Sequence, residues 1–183
     1  MCGGSRLLAE LAVDAISLRT LYADRPEPCL YHSKQEFIVR HGRLFPPKPF
    51  PAKYRKWMRG LHGCFENSLE LAVESGELAY VEGFALPASG LPHLSPRATA
   101  HVWCVDSDGK VVDPTWSGIL AGSEYCGLSL DKRPLYELHQ KGKPFGLLFN
   151  DLLFWDVATG KRDWRKMLAP CASGISPERE LPS

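Results

Sequence analysis

The sequence predicts an α+β fold: one domain over residues 1–169, then a loose tail over 170–183. Three observations lead there. Helix-spaced apolar residues mark 5–22 and 64–75, whereas 78–149 is dominated by short apolar runs broken by turn residues. A glycine-bearing turn at Ser107-Asp108-Gly109 joins two of those runs as an antiparallel hairpin. The chain has 183 residues, 44% of them hydrophobic and 23% charged, enough to bury a core as a single domain.

The elements follow in order. Leu7, Leu8, Leu11, Ala12, Ala15, Ile16 and Leu18 form a helical stripe that Ser5 can cap. Prolines 26 and 28 end it. Ser33-Lys34-Gln35-Glu36 fits a capping box for a short helix reaching Gly42. Residues 46–51 (PPKPFP) exclude regular structure and predict an extended arm. A helix then starts at Cys64, straight after Gly63, and closes at Gly76. Its stripe is Phe65, Leu69, Ala72 and Val73, with Ser68 as a small residue on that side. Strands are expected at 78–86, 99–106, 110–113, 125–130 and 145–149, and helices at 134–141 and 163–168. Tyr125, Trp155 and Trp116 are expected to pack, and Asp106 and Asp108 to serve the turn.

Composition excludes a disordered tail protein, a collagen-like chain and a coiled coil. No window approaches the roughly eighteen apolar residues of a membrane span, so no membrane role is expected. The N-terminus has no basic segment leading into an apolar run, which places the expectation in the cytoplasm, where thiols stay reduced. Net charge is +1, yet residues 40–63 hold no acidic residue. The strip 40–59 carries Arg40, Arg43, Lys48, Lys53, Arg55, Lys56 and Arg59. Such a strip is either a solvated face or a docking surface for an anionic partner or substrate. The near-zero net charge argues against nucleic acid, and no aromatic pattern typical of single-strand binding stands out in the strip.

None of the six cysteines forms a C-x-x-C pair. His101 and Cys104 are three apart on a strand and point to opposite faces, so neither a metal site nor a cofactor is expected. Cys29, Cys104, Cys126 and Cys171 read as small buried hydrophobes. Cys64 differs, because the first turn of a helix offers unpaired amides and the positive end of a dipole, which favour a thiolate. Gly60 and Gly63 permit close backbone approach there, and the Cys64 amide can donate to an oxyanion.

Hairpin register decides whether Asp113 can serve His101. A two-residue loop at Asp108-Gly109 sets Asp113 opposite Cys104, facing away from His101. A three-residue loop pairs Asp106 with Lys110 and Trp103 with Asp113. Asp113 and His101 then share a face as diagonal neighbours about 7–8 Å apart. That loop requires a left-handed residue at its third position, where Gly109 stands, so Gly109 is expected to have positive φ.

The run G-C-F-E-N-S-L-E-L-A, then a strand, then H-V-W-C-V-D-S-D-G-K-V-V-D-P-T-W, resembles the transglutaminase-like branch of the papain-like superfamily. The likeness covers residues 60–116, about a third of the chain. It implies a papain-like core with the nucleophile at the start of a helix packed on an antiparallel sheet. It implies Cys64 as nucleophile, His101 as general base and acid, and Asp113 as orienter of the imidazole. A peptide, protein or small acyl or amide substrate follows. The expected activity is a cysteine hydrolase of an amide, peptide or isopeptide bond working through a thioester. The alternatives are an acyltransferase with the same triad, or a non-catalytic binder using the strip 40–59. Substrate-binding candidates by position are Trp103, Trp57, Asn67, Glu82 and Arg59, with Trp57, Asn67 and Glu82 considered for the second half of the oxyanion hole.

Overall fold

A computed structural model of the chain describes residues 4–23, 28–60, 63–88, 97–116, 123–144, 146–170, 179 and 181. It is an α+β structure. The elements are α1 (Arg6–Leu21), α2 (Lys34–His41), β1 (Arg43–Phe45), a 3₁₀ helix (Ala52–Trp57) and α3 (Cys64–Ser75). Then come β2 (Ala79–Leu86), β3 (Thr99–Val105), β4 (Val111–Val112), β5 (Glu124–Leu130), α4 (Lys132–Gln140), α5 (Asp151–Ala158) and a 3₁₀ helix (Trp164–Met167).

Side-chain caps start most of the helices. Ser5 accepts the Leu8 amide, Asp131 that of Arg133, and Asn150 that of Leu153. Ser33 accepts the Glu36 amide as the capping box requires, but the return arm is displaced. The Glu36 carboxylate reaches the His32 amide at 2.7 Å and the Arg40 guanidinium at 2.7 Å. The first turn of α1 receives a distant acid as well: Glu124 accepts from the Ser5 hydroxyl and from the Arg6 and Leu7 amides.

The five strands form one antiparallel sheet in the order β1-β5-β2-β3-β4. It is strongly curled, because its two edges meet: the Val111 amide of β4 donates to the Pro46 carbonyl just beyond β1, at 3.0 Å. An ion pair between Lys48 and Asp106 closes the same seam. Strand alternation then gives the sheet two different faces. Odd-numbered strand residues point into the curl, where Phe45, Val81, Ala85, Trp103, Val105, Val111 and Tyr125 make a small core that Trp116 joins from the turn after β4. Even-numbered ones such as Tyr80, Phe84, Val102, Cys104, Cys126 and Leu128 meet the helices in the main core. Gly127 is needed inside the curl, since a side chain there would lie 2.8 Å from the Trp103 indole.

Three differences from the sequence expectation are informative. The run Leu147-Leu148 is not a strand, because its amides bond to the Glu82 carboxylate (2.8 Å each) instead of to a ladder; Phe145 lies outside the described residues. The apolar residues that follow build α5, which the sequence reading did not contain. From the tail expected to be loose, Arg179 and Leu181 are described: the Arg179 guanidinium donates to the Gly42 carbonyl at 2.9 Å and Leu181 packs on the main core. Cys2 and Cys171 lie outside the described residues. Among the described residues, no helix is long and apolar enough to cross a membrane.

The carbonyl end of α3 is closed by a side chain from α4. The Lys132 ammonium donates to the carbonyls of Ala72 (2.6 Å), Gly76 (3.0 Å) and Leu78 (2.8 Å). A cation at this end also opposes the helix dipole. Lys132→Met removes three charged hydrogen bonds and should cost about 2 kcal/mol. A calorimetric melting temperature lower by about 4–8 °C is the expected reading.

Candidate active site

Gly63 sits in the left-handed region (φ 80°, ψ 35°) and turns the chain into α3. Having no side chain, it caps none of the first-turn amides, whereas serine, aspartate or asparagine caps the start of each other α-helix described. Cys64 therefore begins a helix whose N–H groups no cap side chain covers. It is half-buried. The helix lies against β3: the Ser68 hydroxyl donates to the Val102 carbonyl (3.1 Å), and the Cys104 thiol to the Ser68 carbonyl (3.2 Å). This docking carries Cys64, one turn earlier, to the His101 end of the strand.

The hairpin takes the three-residue register. Cys104 pairs with Val112 and Val105 with Val111, and the Asp106 amide donates to the Lys110 carbonyl. Gly109 has φ 73°. The Asp106 carboxylate accepts the Asp108 and Lys110 amides, which fixes the turn. Asp113 consequently faces into the curl beside His101, and its Oδ2 lies 2.7 Å from the ring Nε2.

Asp113 is fully buried, and four donors converge on it. Oδ2 takes His101 and the Tyr125 hydroxyl (3.0 Å); Oδ1 takes the Thr115 and Trp116 amides (2.9 Å each). The two amides belong to the D-P-T-W segment, so the aspartate folds its own following turn. Asn67, one turn into α3, donates to the Thr115 hydroxyl at 3.1 Å, tying that turn to the helix of Cys64.

His101 is 2% exposed. With Nε2 committed to Asp113, Nδ1 is the ring nitrogen left over, and Cys64 lies close enough to the ring to favour its charged form. Burial works against a charged ring, but the Asp113 carboxylate and the contact with Cys64 outweigh it and push His101 up to about 9. Trp116 stacks on the imidazole at 4.1 Å between centroids, with planes 16° apart. Trp103 lies further inside at 6.2 Å, fully buried, its Nε1 without a hydrogen-bond partner. His101 and Cys104 do face opposite sides of β3, into the curl and toward α3 respectively.

The structure brings Cys64, His101 and Asp113 together and gives the other sequence candidates different surroundings. Trp57 donates its Nε1 to Glu74 (3.2 Å), and Asn67 braces Thr115. Arg59 donates its amide to the Pro114 carbonyl and lies 3.7 Å from Glu70. Glu82 does not face solvent: it is fully buried on the helix side of the sheet, where Oε2 accepts the Leu147 and Leu148 amides and Oε1 the Tyr80 hydroxyl (3.1 Å). Burial pushes its carboxyl up to about 7 although those donors hold it down. Tyr125 is the residue that sequence reading missed, since a tyrosine in an apolar strand signals core and nothing more.

The acid-free strip is answered from outside itself. Arg40 meets Glu36, Lys48 meets Asp106, Lys53 meets Glu77 (2.5 Å) and Arg59 meets Glu70. Four of its seven cations thus have a carboxylate within 4 Å. Arg43 and Lys56 lie over the rings of Phe45 and Trp57.

No family model, curated protein or solved structure matches the chain.

The elevated His101 makes a signed prediction. Its folded value is about 9, against an ordinary 6.5, so the stabilisation is complete below pH 6.5 and is lost as pH rises through 9. Asp113→Asn removes the carboxylate's charge. Urea midpoints measured between pH 6 and pH 10 should fall more steeply for the native chain than for this variant, and the His101 ring-proton NMR titration should move toward the ordinary range.

Proposed function

We propose that this chain is a cysteine-dependent hydrolase of an amide, peptide or isopeptide bond, built on a papain-like core of the transglutaminase-like kind. The observation that carries the reading is the buried pair of His101 and Asp113, joined through Nε2 with the second ring nitrogen left over, beside a cysteine at an uncapped helix start. Core packing alone asks for no such relay, because a buried histidine needs one hydrogen bond, not a cysteine beside it as well.

The chemistry runs as acyl transfer. A ring held protonated at neutral pH favours the thiolate form of the sulfur it faces. The thiolate attacks the carbonyl carbon, and the oxyanion is met by first-turn amides of α3, the Cys64 N–H foremost. The imidazolium then gives its proton to the leaving nitrogen as the C–N bond breaks, leaving a thioester and a neutral ring. Neutral His101 takes a proton from water, hydroxide adds to the thioester, and the collapse releases the acid and restores the thiolate. Asp113 holds Nε2–H throughout, and Tyr125, Thr115 and Trp116 hold Asp113. Trp116, stacked flat on the ring, limits its rotation and shields the His101–Asp113 bond from water.

Iodoacetamide at neutral pH, followed by intact mass and peptide mapping, tests the reading without a known substrate. Cys64 should react first among the thiols, and His101→Gln should slow it on the order of a hundredfold. If Cys64 reacts no faster than Cys29, the proposal fails. With a library of acyl donors, the expected adduct is a thioester on Cys64 that water resolves. Resolution accelerated by added amine would instead assign acyl transfer to an amine acceptor.

A further inference from the structure

The buried carboxylate of Glu82 takes no part in the relay, yet it stands next to it. The segment it holds runs on to Phe149, whose ring meets Phe65, the residue after Cys64. We propose that Glu82 is a positioning residue for the aromatic surface beside Cys64: by holding the Leu147 and Leu148 amides it sets Phe149 against Phe65, and these rings select acyl groups with an apolar side chain. This rests on the thiol chemistry proposed above and names the substrate class of the same site.

A carboxylate in the interior is costly unless donors satisfy it. Here the donors are the backbone of one short segment. Oε2 accepts both Leu147 and Leu148 at 2.8 Å, so the carboxylate bonds main chain that no sheet or helix holds. Gly146 fits flush on the other oxygen: with φ 91°, a Cβ there would lie 2.4 Å from Oε1. Two residues after Leu148, the Asn150 side chain caps α5. Phe149 is thus pinned between a clamp and a cap.

Its ring meets Phe65 edge to face, with centroids 4.0 Å apart and planes at 84°. Phe65 follows Cys64 in the first turn of α3, and both rings are only half-buried. The pair offers an acyl group apolar edges and no charge. A leucine at position 82 would fill the same space in the core but could not hold the two amides.

The probes are iodoacetamide and N-benzyl iodoacetamide. The rate of each at Cys64 is divided by its rate with glutathione, which removes intrinsic reagent reactivity. The native chain should favour the benzyl reagent by about fivefold or more, the scale of an added apolar contact. Phe149→Ala and Gly146→Ala should bring that preference close to one, the first by removing the ring and the second by pushing the segment off the carboxylate. Glu82→Leu should do the same and speed hydrogen exchange at Leu147 and Leu148. Glu82→Gln keeps an oxygen that accepts both amides and should retain the preference. A native preference near one, or a preference unchanged in Phe149→Ala and Gly146→Ala, overturns the proposal. The ratio reads the ring pair beside Cys64 even where Cys64 reacts no faster than glutathione. That slow rate would sink the thiol chemistry and leave the clamp standing.

Discussion

Four donors meet on the buried carboxylate of Asp113, and they arrive from three parts of the chain: His101 on β3, Tyr125 on β5, and the turn that Asp113 itself begins. A carboxylate at zero exposure stays in the interior only when its lone pairs are filled, and each donor lost leaves an unpaired buried group. The need to fill them sets much of the surrounding architecture. It holds β5 in position across the curl, keeps the D-P-T-W turn tight enough for Trp116 to cover the imidazole, and through Thr115 and Asn67 draws in the helix of Cys64.

The curl of the sheet gives this constraint its geometry. With the edges joined at Pro46 and Val111, odd-numbered side chains converge on an interior, and His101 lies at the end of it nearest α3. Trp103 fills the space behind the imidazole, which only the missing side chain of Gly127 permits. His101 and Asp113 therefore have rigid aromatic walls on the inside and a half-buried cysteine on the outside, which keeps their hydrogen bond away from water.

Much of this was legible where neighbouring residues decide the outcome. The Ser107-Asp108-Gly109 turn chemistry selects one register, and the register alone puts Asp113 on the face of His101. Gly63 and Gly76 bound α3 by local rules, and Ser5 and Ser33 start their helices the same way. What escaped depends on partners far along the chain. Glu82 reads as a charge on an apolar strand, while the amides it holds are 65 and 66 residues away. The same amides explain the missing strand at Leu147-Leu148, whose apolar run fits strand and helix alike. The basic strip looks like a field for anions until α3 places Glu70 beside it, with Glu77 just beyond the helix end. Tyr125 carries no local mark of its bond to Asp113.

Glu124 joins the first turn of α1 to the residue before Tyr125, across 117 to 119 positions of sequence. That span orders assembly. A chain emerging from synthesis carries Cys64 and then His101 and Asp113 before β5 exists, and until β5 arrives Asp113 lacks its tyrosine and α1 lacks its acid. Cys64 is thus made early and surrounded late. The hydrogen bonds around Asp113 close in the step that also seats the N-terminal helix.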